Sequence, residues 1–205
     1  MIISVIFVLL FLAFLMGIIL VPKIDGKINM IKVAVMGIMA IFCYQSFWAF
    51  MFQLVGIPVN LKSTCISMAA AVLLLWGMII KKKKMQRIFV RITDIAVLAV
   101  LAGIVIAVSL HMFTPYLRLS YINSDPANHF NDAMVIVKQG VLGKHIYFSA
   151  FVNAMFIEIF SPILIVSKYY KAFIFADIFM HVLEVWMCYV LMLTVSEKKI
   201  VRIFA

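Results

Sequence analysis

Two sets of ionisable side chains fall at helical spacing in this sequence. Asp125, His129 and Asp132 stand at i, i+4 and i+7, so a helix through them projects two carboxylates and an imidazole from one side. Asp177, His181 and Glu184 repeat the same spacing further along the chain. Such groups can move a proton near neutral pH, or hold a divalent cation. Each residue of the first set also has a plainer reading. Asp125, followed by Pro126, suits the N-cap of a helix, a role worth about 1 kcal/mol. His129 can be a surface imidazole, and Asp132 can complement the positive N-terminal end of the helix dipole. A metal held by one helix alone would lack its remaining ligands, so a divalent cation is left open as a cofactor and no metal ligand is assigned.

The first set lies in a polar interval over 114–145 that also carries Arg118 and Lys144. A short helix begins near Ser124 or Asp125, with Pro126 fitting its first turn and Gly140 the position just past its end. Phe130, Ala133, Met134 and Val137 form an apolar stripe at i, i+3, i+4 and i+7. That stripe can rest on a membrane surface or on neighbouring helices, with Asp125, His129 and Asp132 opposite it, facing water or a cleft.

The rest of the chain is a different medium. Of its 205 residues 67% are apolar and 13% charged, and the mean hydropathy is +1.19. A water-soluble globular fold is excluded by these proportions, and an all-α, polytopic transmembrane bundle is expected in a lipid bilayer. The net charge of +10 does not indicate nucleic acid, because the Lys and Arg residues gather in short loops between apolar runs. Apolar segments at 2–21, 33–57, 64–80, 95–113, 146–166 and 172–195 give five or six candidate spans, against the roughly 20 residues a crossing needs. The organisation is therefore a four-helix region over 1–113, an outer loop with an amphipathic helix over 114–145, and membrane segments with a basic tail over 146–205. The first segment reads as a retained anchor.

With the N-terminus outside, the inner loops carry Lys23, Lys27, Lys32, Lys81, Lys82, Lys83, Lys84, Arg87 and Arg91. The outer ones carry Lys62, Arg118, Lys138 and Lys144. This imbalance favours a multi-pass cell-membrane protein with its N-terminus outside. The tail, with Lys198, Lys199 and Arg202, also belongs inside, which fits a last third that crosses once while 146–166, broken by Glu158 and Pro162, dips in or lies at the surface; two crossings stay open. Ala99, Gly103 and Ala107 form a small-residue row suited to close helix packing. Cys43, Cys65 and Cys188 behave as small hydrophobes.

A charge at the bilayer centre costs about 2.5–3.5 kcal/mol, so Asp177, His181 and Glu184 should face protein or water. They could line a cleft for a polar substrate, form a proton or cation path, or simply hydrogen-bond a helix interface. Glu158 adds a fourth ionisable group.

The stretch 124–140, SDPANHFNDAMVIVKQG, preceded by an apolar span and followed by 145–161 and 169–193, resembles the start of the GT-C glycosyltransferases, polytopic enzymes that transfer sugars from polyprenyl-phosphate donors. The resemblance covers about 80 residues. It implies glycosyl transfer to a surface glycan, with Asp125 in the role of the family's first-loop acidic residue at the acceptor or metal site. His129 and Asp132 join it as catalytic candidates, and Arg118 and Lys144 are placed toward the donor phosphate. Asp177, His181 and Glu184 are candidates for substrate binding. The family's motif loop usually follows its first span, whereas three further spans come earlier here, and the resemblance implies the N-terminal portion of a longer enzyme. Two other classes fit the same residues: a small transporter or proton-coupled subunit working through Asp177, His181 and Glu184, and a non-catalytic scaffold with a membrane complex partner.

Overall fold

A computed structural model describes residues 2–21, 27–81, 87–113, 125–143, 148–160 and 169–195. In chain order these form α1 (Ile2–Leu20), β1 (Lys27–Asn29), α2 (Met30–Leu54), α3 (Leu61–Lys81), β2 (Arg87–Phe89), α4 (Ile92–Phe113), α5 (Asp125–Gln139), α6 (Phe148–Phe160) and α7 (Tyr169–Val195). The all-α bundle expected from composition is present. α2, α3, α4 and α7 are each long and apolar enough to cross a membrane. Helices suit that setting because every backbone bond closes within the segment. α1 carries the first expected span, and its described side chains begin at Ile6.

α1 and α2 run antiparallel in backbone contact. A Cβ on Gly17 would collide with the Val33 carbonyl, and one on Gly37 with the Ala13 carbonyl. Small residues thus allow the close approach expected of membrane helices, though not where the sequence pattern placed it. The row Ala99, Gly103 and Ala107 on α4 is exposed, and nothing described lies within 4 Å of a Cβ on Gly103. The expected packing row is corrected to this extent: α4 turns it outward because its inner face is occupied by contacts with α7.

Those contacts fix the two ends of the bundle. The Trp186 indole N–H donates to Leu98 O at 2.9 Å, and the Tyr189 hydroxyl donates to Asp94 Oδ1 at 2.9 Å, so α4 and α7 are antiparallel. Lys32 Nζ donates to Leu193 O at 3.4 Å, which puts the end of α7 beside the start of α2. At this end β1 and β2 pair in parallel, Lys27 opposite Arg87 through Asn29 opposite Phe89. Lys27, Lys32, Arg87 and Arg91 lie at this end, so we term it the basic end. At the opposite, loop end, Val59 N–H donates to Gly140 O at 2.7 Å and Leu142 N–H to Gln53 Oε1 at 3.0 Å.

α6 enters from the loop end. Its Ala150, Phe151 and Ala154 share a core with Val59, Ala133 and Ile136, whereas Ile159 packs deeper against Leu12 and Met68. Thirteen residues rise about 20 Å, short of the roughly 30 Å of hydrocarbon. α7 begins again at the loop end, where the Phe130 and Phe173 rings meet at 5.5 Å. Among the described residues of the last third, α7 alone is long and apolar enough to cross a membrane.

Candidate functional site

α5 folds as its sequence signals direct. Pro126 sits in the first turn, and Gly140 closes the helix with φ 68°, donating its N–H to Ile136 O at 2.8 Å. A positive φ at this position carries no penalty for glycine. The apolar stripe is buried against α6 and α7 rather than laid on the bilayer: Ala133 and Ile136 are fully covered, with Phe130, Met134 and Val137 packed beside them.

The polar side of α5 splits. His129 is half-buried and its Nδ1 lies 3.4 Å from the Ser149 hydroxyl of α6. Asp132, expected to share the outward side, is instead 9% exposed. The chain reverses at Gly140 and returns over this carboxylate, so that a Cβ on Gly143 would come within 2.8 Å of Asp132 Oδ1. Asp132 is thereby placed against the turn that ends α5. The Asp125 backbone opens the helix, while its side chain, Arg118 and Lys144 lie outside the described residues.

On α7 the second set forms a chain of contacts. His181 Nε2 stands 3.6 Å from Asp177 Oδ2, and His181 Nδ1 stands 3.2 Å from Glu184 Oε2. In its imidazolium form this ring donates to Glu184 and pairs electrostatically with Asp177. The side chains of Asp177, His181 and Glu184 are 32%, 53% and 63% exposed, so the stripe is open along the bundle's outer surface. Asp177 also lies within electrostatic reach of His129. The fold thus brings the two sequence sets near each other: α5 docks His129 against Ser149 of α6, within electrostatic reach of Asp177, and a polar track of contacts runs along α7 from Asp177 through His181 to Glu184. Acid–base exchange and binding of a hydroxylated or cationic group are the chemistry such a track can perform. Among the described residues no three His, Cys, Asp or Glu side chains are grouped to hold a metal ion.

Sequence reasoning missed Ser149, which sits in an apolar run and acquires meaning only when α6 meets α5. It also missed Asp94, 2% exposed and bound by Tyr189 across 95 positions. An acidic residue in the first turn of α4 was the available signal. Glu158 does not join the track; it faces the Leu61 start of α3 from α6.

The fold and the site define a polytopic α-helical membrane protein with an imidazole–carboxylate track along α7. No family model, curated protein or solved structure matches this chain.

Proposed function

We propose that the chain is a GT-C-like membrane glycosyltransferase, or the N-terminal part of one, resident in the cell membrane with its basic end in the cytoplasm. The observation that supports the reading is the docking of α5 on α6 and α7, which sets His129 against Ser149 and within electrostatic reach of Asp177. A sugar donor anchored in the bilayer by a polyprenyl chain would present its phosphate at that depth. In the reaction the acceptor hydroxyl oxygen attacks the anomeric carbon, the bond from that carbon to the donor phosphate oxygen breaks, and polyprenyl phosphate leaves with the electron pair. A carboxylate takes the acceptor's proton. By resemblance this base is Asp125; Arg118 and Lys144 neutralise the leaving phosphate, and Asp177, His181 and Glu184 bind sugar or acceptor hydroxyls.

Transfer of labelled sugar from a polyprenyl-phosphate donor, measured in membranes at matched protein abundance, tests the assignment. Asp125→Asn is expected to lower transfer by about a hundredfold or more. Unchanged transfer removes Asp125 from catalysis.

The bridging of His181 between two carboxylates on an open helix face supports a second reading, a proton-coupled transporter. Under it Glu184→Gln abolishes proton flux in vesicles while Asp125→Asn does little, and the reverse pattern returns the assignment to glycosyl transfer.

A further inference from the structure

The inward side of α7 is occupied: Leu183, Tyr189 and Val190 are buried in a core shared with α2 and α4. Its outward side is open. Asp177, His181, Glu184, Cys188, Leu191 and Val195 follow one another at alternating steps of four and three residues. That is the spacing by which one helix presents a continuous seam of side chains to another in a left-handed pair. Asp177 keeps a third of its side chain open, and the other five residues are exposed.

The seam lies at membrane depth. α7 is long and apolar enough to cross a bilayer, and Glu184 stands 15 residues after Tyr169 and 11 before Val195, so about 16–22 Å of helix separates it from either end. A charge there is costly unless it faces protein or water. Among the described residues no Lys or Arg lies in ion-pair range of Asp177 or Glu184; His181 alone reaches them, at 3.6 and 3.2 Å. One imidazolium against two carboxylates leaves a net negative charge, and a neutral ring leaves two. Lipid tails supply such a face with neither a counter-charge nor a hydrogen bond.

We propose that this seam docks a transmembrane helix of another protein, one that carries a Lys or Arg at the depth of Glu184. The cation balances the polar half of the seam, and Cys188, Leu191 and Val195 pack the same helix toward the basic end. A second copy of this chain does not meet the need. Two parallel copies related by a two-fold axis along the membrane normal set Glu184 opposite Glu184, which adds charge of the same sign. The docking goes beyond the glycosyl-transfer reading and does not rest on it. A carboxylate has about four acceptor positions, so a cation on Glu184 leaves room for the hydroxyl which that reading assigns there.

The probe is a synthetic Leu-rich transmembrane peptide with one central Lys and a Cys four residues to either side of it, the step from Glu184 to Cys188. Whichever way the peptide inserts, one of its Cys residues then faces Cys188. The purified protein and the peptide are reconstituted in phosphatidylcholine vesicles and oxidised with copper–phenanthroline, and disulfides at Cys188 are quantified by mass spectrometry. The Lys peptide is expected to cross-link about fivefold or more above a peptide with Leu in place of its Lys. Asp177→Asn combined with Glu184→Gln is expected to erase that preference and leave cross-linking of the Leu peptide unchanged. Equal cross-linking of the two peptides to the unaltered protein overturns the proposal. So does a Lys preference that survives the double substitution, or a Cys188 that pairs with Cys188 of a second copy ahead of the Lys peptide. Should the doubly substituted protein fail to fold, the comparison of the two peptides on the unaltered protein decides the matter. The readout involves no sugar, so its failure and that of the glycosyl-transfer reading are told apart.

Discussion

The basic end of the bundle and the open face of α7 use the same kinds of side chain to opposite effect. At the basic end Asp94 is 2% exposed and held by the Tyr189 hydroxyl, and Lys32 is 6% exposed with its ammonium on the Leu193 carbonyl. These charges tie α2, α4 and α7 together and have no surface to offer a ligand. Along the first half of α7 and at its middle, Asp177 and Glu184 each meet His181 while the three remain a third to two-thirds exposed. They contribute little to holding helices together, and their hydrogen-bonding capacity remains available. Burial therefore separates a structural carboxylate from a chemical one more clearly than residue type does.

The contrast can be broken by substitution. The largest effect is expected from the apolar frame that carries both regions: Gly37→Leu drives a side chain into the Ala13 backbone and should destabilise the bundle by about 3 kcal/mol, read as loss of monodisperse protein on size exclusion. Gly103→Leu, with open space around its Cβ, should elute unchanged. Asp94→Ala should cost about 2 kcal/mol by leaving the buried Tyr189 hydroxyl without its acceptor, measured as a lowered midpoint of thermal unfolding. Asp177→Asn on the open face of α7 should shift that midpoint by less than about 0.5 kcal/mol equivalent. Equal losses for the two carboxylates would erase the distinction between the two regions. A loss smaller than that of Asp94→Ala belongs to the turn after α5, where Gly140→Ala must adopt φ 68° beside Pro58 and should cost about 1 kcal/mol in the same assay.

Much of the frame was legible because hydropathy and charge act locally. The spans of α2, α3, α4 and α7, the α5 helix from its Pro126 start to its Gly140 stop, and the apolar stripe of Phe130, Ala133, Met134 and Val137 all follow from spacing along the chain. What depended on distant partners was not legible. The parallel ladder of Lys27–Asn29 with Arg87–Phe89 has no signal in either three-residue segment. Gly17 and Gly37 became the close-packing pair, not Gly103, because each faces a neighbouring backbone. Asp132 follows the α5 periodicity yet ends buried, because Gly143 returns over it. The approach of His129 to Asp177 joins residues 48 positions apart, and spacing within one helix says nothing of it.

The most direct test of the account compares sugar transfer from a polyprenyl-phosphate donor by the unaltered protein, Asp177→Asn and Tyr189→Phe, at equal amounts of folded protein in membranes. The account predicts that Asp177→Asn loses about tenfold or more of the transfer while Tyr189→Phe, once folded, retains it. Transfer that is unchanged in Asp177→Asn, or absent from the unaltered protein, would contradict it.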